Sequence, residues 1–364
     1  MKHTDNLLKS IKAGMLGLNV GLSTGLDKLD EIIAGVQRST IYDLVGGLAS
    51  GKTSFALYSF LYKPLMTELD NPNFHILIFS LEITAQTLLA KLLALRIYHV
   101  YGVEIKYSKL FSRNKNHLLT DDEFELVEKE LPWLLKVEGK LIIHDKSLTP
   151  EVFSNVLLRI ANEYGEFTQV GEETVYKPHH PDFFLLAFLD HVGLIRKGKG
   201  MLTKKDAIDA VVEDAVSYRN VCTFSFAFLQ QINRGAASMD RRKAELQEIE
   251  LQDLKDTGSV SEAADVVLAL FFPHRDKMST YRHYKISKGF RDAFRSIIIL
   301  KNRYDCADNV VPVNFFGSIG LFVELPDPST FDEDYDYTKH LYLIPPLPTK
   351  METIENSTQR DYYF

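Results

Sequence analysis

Short apolar runs that stop abruptly at a polar residue recur along this chain, separated by longer stretches with helical spacing. Residues 41–45, 75–79, 141–145, 183–189, 221–229, 266–270 and 295–300 have the length and composition of buried strands, and 317–324 resembles one arm of a terminal hairpin. Between them, residues 84–100 space Leu88, Leu92, Leu95 and His99 along one helical face. Residues 106–137 read as a helical excursion with Leu126, Leu131, Trp133 and Leu134 in its core. Inside it, Thr120-Asp121-Asp122-Glu123 is a capping box, in which a hydroxyl and a carboxylate reciprocally satisfy free amides. Thr149-Pro150-Glu151 opens a helix towards Tyr164, with Pro150 where a missing N–H costs nothing. Further helices are predicted over 203–219 and, capped by Ser23 or Thr24, up to about Gly35. Strands alternating with helices predict an α/β fold around a mainly parallel sheet, with the polar chemistry beyond the strand ends.

The predicted organisation is uneven: a lead or linker over 1–20, one α/β domain over 21–325, and an acidic tail containing Tyr and Pro over 326–364. In the lead, Leu7, Leu8, Ile11 and Leu16 suffice for one or two amphipathic turns. Residues 165–182 read as a polar insertion, and its His179 and His180, with no third ligand nearby, read as loop residues rather than a metal site. With 364 residues, 45% of them hydrophobic and 25% charged, the chain can bury a large core. A net charge of −7 excludes a globally basic nucleic-acid binder, so such a role needs a local basic lining. Cys222 and Cys306 form no metal spacing and fit a reducing compartment. No signal-peptide pattern and no apolar run of membrane-spanning length is present, which predicts a soluble, cytoplasmic protein with no membrane partner.

One stretch adds chemistry to this architecture. Gly46-Gly47-Leu48-Ala49-Ser50-Gly51-Lys52-Thr53 lies between a predicted strand and a predicted helix, the context a phosphate-binding loop requires. Gly46 and Gly51 let the backbone wrap anionic oxygens closely, and amides at the helix start face them. Lys52 is placed for the β/γ-phosphates of ATP, and the Thr53 hydroxyl for Mg²⁺. Glu82, just past its strand, is placed to polarise water; its other reading is a capping carboxylate ahead of Ala85. Asp190 ends the most apolar strand and is expected to hold Mg²⁺ through water. Arg196, Lys197 and Lys199 form one basic loop, and Arg234, Arg241, Arg242 and Lys243 lie on a second; Arg196, Lys197, Lys199, Arg241 and Arg242 are the candidates for contacts with nucleic-acid phosphates. Glu245, Glu248 and Glu250 partly offset the second.

Taken in order, these motifs resemble the RecA-like ATPase domain of bacterial and phage hexameric replicative DNA helicases, the DnaB type, over roughly residues 20–325. The matching stretches are Ser23 to Asp30 with Gly35, the loop Gly46 to Thr53, Phe79 to Glu82, Leu189 to Ile195, Leu229 to Gly235, Asp253 to Val260 followed by Ala264-Asp265-Val266, and Lys301-Asn302-Arg303. The resemblance implies a RecA-like P-loop NTPase core using ATP and Mg²⁺, with Glu82 activating water, Gln231 as sensor, and Lys301 and Arg303 reaching in trans into a neighbour's site. It further implies an ATP-driven single-stranded DNA translocase or helicase. Such a protein works as a homo-oligomeric ring, a hexamer, in the cytoplasm, or the host's if phage-encoded, with primase or a loader protein as partner. His191 stands where the family has tyrosine, Lys255 where it often has arginine, and the family's N-terminal helical collar has no counterpart in these 364 residues. A RecA-type recombinase or regulatory ring ATPase that binds DNA or protein without unwinding is the alternative. An inactive structural subunit or loading accessory is opposed by the intact Lys52, Thr53, Glu82 and Asp190.

Overall fold

The computed structural model describes residues 3–17, 19–232, 248–307 and 309–330. Arg234, Arg241, Arg242 and Lys243 of the second basic loop, and the tail beyond 330, lie outside the described residues. The strands are β1 Ile41–Gly46, β2 Phe74–Ser80, β3 Leu141–His144, β4 Gly165–Val170, β5 Glu173–Pro178, β6 Phe184–Asp190, β7 Ser225–Gln231, β8 Val266–Phe271, the short β9 Thr280–Tyr281 and β10 Tyr284–Lys285, β11 Phe294–Asn302, β12 Val310–Phe316 and β13 Leu321–Glu324. A 9-stranded sheet runs β13-β12-β11-β8-β1-β7-β6-β2-β3. From β8 to β3 every neighbouring pair is parallel, while β11, β12 and β13 add an antiparallel meander at one side. The helices are α1 His3–Met15, α2 Asp27–Ile33, α3 Lys52–Phe55, which continues through a π-helical Ala56–Tyr62 into α4 Lys63–Glu68, α5 Ala85–Tyr101, α6 Tyr107–Leu110, α7 Asp121–Glu138, α8 Pro150–Tyr164, α9 Lys204–Cys222 and α10 Gly258–Ala263.

Every residue of β1 is buried, as a strand covered on both faces must be. Alternation divides it: Ile41 and Val45 pack with Phe153, Leu157, Val211 and Ala215 of α8 and α9, whereas Tyr42 and Leu44 pack with Phe60, Leu88 and Leu92 on the other face. The Thr120 capping box and the Thr149 cap are formed, and Thr203 adds a second box at the start of α9.

Some expectations are corrected. Ser23 and Thr24 do not cap α2; both hydroxyls donate to Asp30 inside the helix, at 2.6 Å each. Leu131 is 45% exposed, because Glu130 takes the inward position of α7, accepting from Arg96 at 2.7 Å and Tyr101 at 2.8 Å. One residue further along a helix turns the side chain about 100° away from that face. Val221 and Cys222 belong to α9, and the strand begins at Ser225. Residues 165–178 form the β4–β5 hairpin, closed by a turn in which Gly171 has a left-handed φ of 66° and pinned by Phe167 against Tyr176.

Asp43 occupies the middle of β1, fully buried. Its Oδ2 accepts from Gln230 Nε2 at 2.6 Å and from Ser261 Oγ at 2.5 Å, while Asp43 Oδ1 and Gln230 Oε1 have no hydrogen-bond partner among the described residues. Burial pushes the carboxyl up to about 6, with the Ser261 and Gln230 hydrogen bonds and Lys301 pulling the other way. Unfolded, the group ionises near its ordinary value of 3.8, so between about 4 and 6 the native state binds more protons. Its contribution therefore becomes unfavourable as pH rises through that window, by roughly 3 kcal/mol above it. Asp43→Asn, which offers an N–H to Gln230 Oε1, is expected to stabilise the fold at pH 8 and to change it little at pH 4. Denaturant titrations at both pH values check this; the same stability difference at each would refute it.

Candidate active site

The site is built where β1, β7, β6 and β2 end side by side. Gly46 closes β1, and a Cβ there would lie 2.5 Å from Ser50 Oγ and 3.2 Å from the Leu270 carbonyl oxygen. Gly51 has φ +96°, and a Cβ there would lie 3.0 Å from the Phe315 ring, so the position admits no side chain without rearrangement. Ser50 N–H donates back to the Gly47 carbonyl at 3.2 Å, closing the loop, and Phe55 N–H donates to the Gly51 carbonyl at 2.8 Å, starting the helix. The loop thereby delivers Lys52 and Thr53 at a helix start, where backbone N–H groups have no helical acceptor.

Gln231 ends β7 in register with Gly46 and is exposed; the next amide, Ile232 N–H, donates to the Gly46 carbonyl at 3.2 Å. Asp190 ends β6 and pairs in register with Ser80 at the end of β2, and Leu81 N–H donates to the Asp190 carbonyl at 2.9 Å. Glu82 follows. The cap of α5 is Thr84, whose side chain accepts from Thr87 N–H at 3.3 Å, so the capping role is filled without Glu82.

The electrostatics tie these groups together. Asp190 is 7% exposed. Burial first, and the charge of Glu82 second, push its carboxyl up to about 6; Lys52, a hydrogen bond from Thr53 and Lys91 oppose this. Its Oδ1 is buried without a hydrogen-bond partner among the described residues. Burial lowers the Lys52 ammonium, which Asp190 and then Glu82 hold up. A carboxylate with an unused oxygen, beside the loop threonine and next to a second carboxylate, suits an oxygen-liganded Mg²⁺ that takes its remaining ligands from water and phosphate.

Two neighbours complete the cluster, and Lys91 is the one not singled out from sequence. Lys91, on the inner side of α5, is shifted down by burial and up by Asp190 and Glu82, and its ammonium sits 4.2 Å from the Tyr107 ring centroid. A lone cation among the apolar residues of 88–95 was the available signal. His191 follows Asp190 through a cis peptide; its Nδ1 accepts from Gly193 N–H at 3.1 Å, and burial, with Lys52, lowers its pKa.

Arg196, Lys197 and Lys199 lie on the loop beyond β6, on the same side of the sheet as this cluster. Glu151 supports that loop from below, accepting from Lys199 N–H at 2.9 Å. Lys301 and Arg303 are not brought to the cluster. β11 runs antiparallel to β8, with Asn302 opposite Val266, so the pair sits where β1 and β8 begin. That is the far edge of the sheet, on the order of 20 Å from the loop at about 3.3 Å per strand residue. Lys301 Nζ donates to the Ser261 and Glu262 carbonyls at 3.0 and 2.9 Å, and Arg303 pairs with Asp265 at 2.9 Å.

A family profile described as the DnaB-like helicase C terminal domain matches residues 21–165. The chain is 23% identical over 276 residues to the replicative DNA helicase DnaB of Helicobacter pylori strain J99, covering 74% of this chain and 48% of the relative. It is 25% identical over 317 residues to that of Pasteurella multocida, covering 86% and 58%. The chain thus spans about half the length of the curated relatives it matches. A solved structure of an ATPase domain superposes with a TM-score of 0.65 at 17% identity, over 90% of this chain and 100% of that one. A DnaB-like replicative helicase, solved in a study of its interactions with primase, superposes with 0.64 at 16%, over 90% and 67%. The fold is RecA-like, an α/β architecture on a largely parallel sheet.

Proposed function

We propose, since this chain carries a DnaB-like replicative-helicase ATPase domain, that it is an ATP-hydrolysing motor moving along single-stranded DNA as a ring. One observation carries the reading. Lys52, Thr53, Glu82, Asp190 and Gln231 converge at one edge of the sheet, while the cationic pair Lys301 and Arg303 stands at the opposite edge. A pair so placed cannot serve its own loop, and reaching the loop of a neighbour would take it from its Ser261, Glu262 and Asp265 partners. The ring is read as a hexamer, with a primase or loader protein as candidate partner.

Bound Mg-ATP supplies the electrophilic γ-phosphoryl group and a cation that spreads its charge. Thr53 and Asp190 would hold the metal, and the amides of 46–53 with Lys52 would hold the phosphate oxygens. Glu82, exposed and uncommitted to a cap, accepts the proton of the attacking water. Gln231, one strand over from the loop, reports the state of the γ-phosphate to β7. Lys301 and Arg303 of an adjacent subunit stabilise charge on the transferring group.

Arg196, Lys197 and Lys199 are proposed to carry DNA phosphates, with Arg241 and Arg242 as a second set. Native mass measured with ATP, Mg²⁺ and an oligonucleotide is expected to show a hexamer, and an unwinding assay on a forked duplex is expected to show strand displacement. Replacing Arg196, Lys197 and Lys199 together by alanine is expected to flatten the plot of log affinity against log salt by roughly 2, at about 0.7 per single-strand phosphate contact. A monomer with full ATPase activity would overturn the ring, and an unchanged slope would exclude this loop.

A further inference from the structure

Arg295, the second residue of β11, is 4% exposed and makes no ion pair among the described residues. Asp292, the one carboxylate that raises its pKa, is instead paired with His274 at 2.7 Å. The guanidinium lies 3.5 Å from the Phe272 ring centroid and 5.1 Å from that of Phe315. Its Nη1 donates to the carbonyls of Asp292 at 2.6 Å and Phe294 at 2.7 Å. Its Nε donates to the Ser50 carbonyl at 2.6 Å. Burying a cation without an anion is costly, and burial accordingly pushes this one down to about 9. Such an arrangement is expected to persist where the cation does something a neutral side chain cannot.

The Ser50 carbonyl belongs to the phosphate-binding loop, and it shares one rigid peptide plane with Gly51 N–H. In a trans peptide these two groups point in opposite directions. A carbonyl drawn to Arg295 therefore turns the Gly51 amide away from Arg295. A carbonyl facing the other way would present a partial negative charge to an incoming phosphate. Phe315, which stacks under the same guanidinium, is also the ring that closes on Gly51.

We infer that Arg295 is a positioning residue for nucleotide: by holding the Ser50–Gly51 peptide plane it keeps the loop's amides turned towards the phosphates, and its positive charge behind the loop adds to anion affinity. This rests on the reading of Gly46 to Thr53 as the nucleotide loop.

The test uses the full chain, a fluorescent ATP analogue with Mg²⁺, and amide hydrogen exchange without nucleotide. Arg295→Met, folded by circular dichroism, is expected to weaken analogue binding about tenfold and to speed exchange within 46–53. KM for ATP is expected to rise more than kcat falls. Arg295→Lys, which keeps the charge and a donor, is expected to recover part of the affinity. A folded Arg295→Met that binds within about twofold of the unaltered chain, with unchanged exchange in the loop, would overturn the inference. Should Arg295→Met not fold, Phe272→Leu removes the ring against the guanidinium and is expected to shift affinity and exchange in the same direction; no shift in either overturns it. If the unaltered chain binds no analogue, the nucleotide-loop reading itself falls, and with it this inference. If it binds and Arg295→Met matches it, only the role of Arg295 falls.

Discussion

Lys52→Ala is expected to abolish ATP turnover while leaving the fold intact. Lys52 is half-buried at the helix start, and its charge is held up by Asp190 and Glu82. In the proposed site, removing it leaves Asp190 and Glu82 with no cation from the loop. Loss of a preorganised charge of this kind costs on the order of 10²–10³-fold or more in kcat. Phosphate release measured at saturating ATP checks the expectation, and turnover near the unaltered rate would sink the nucleotide assignment. The same variant tests the trans pair. Mixed with Arg303→Ala, also expected to be inactive, it should regain partial activity that grows with protein concentration, because some interfaces then hold an intact Lys52 opposite an intact Arg303. Normal turnover by Arg303→Ala in a confirmed ring would remove the trans role.

Glu82→Gln is expected to keep nucleotide binding and lose turnover by about 10²-fold or more, the range for loss of a general base. The substitution is nearly isosteric and the cap of α5 belongs to Thr84, so the helix should stand unchanged. Binding by a fluorescent analogue and single-turnover hydrolysis separate the two effects. A parallel loss of binding and of helical signal would show that Glu82 supports the fold instead.

The strand, glycine-bearing loop and helix start around Gly46 to Thr53, the strand-end acids and the order of elements were legible because each is local. A loop that must approach phosphate needs Gly46 and Gly51 within a few residues of Lys52, and a strand that ends in Asp190 shows its burial in its own composition. What escaped was set by distant partners. β12 contains Pro312, which cannot donate to a ladder and so hides a strand in the sequence; it is held by β11 on one side and β13 on the other. The hairpin at 165–178 looked like polar insertion because only Phe167 and Tyr176 turn inward to pack with the core. Arg295 opens the strand read over 295–300, and nothing near it in sequence announces Phe272, Phe315 or the Ser50 carbonyl. The Lys301-Asn302-Arg303 motif was visible, but its distance from the loop follows only from the antiparallel direction of β11.

That direction has a mechanical consequence. β11 begins at the Gly46 to Thr53 loop, where Arg295 grips Ser50, and ends at the opposite edge with Lys301 beyond a register shift after Ile299. A strand hydrogen-bonded to β8 and β12 on its two sides is stiff along its axis. In the proposed ring it acts as a connecting rod: one end feels whether its own loop is filled, and the other carries the cations that meet the next subunit's nucleotide. Such rods, laid end to loop around the circle, would give the firing order of the sites a direction without any further moving part.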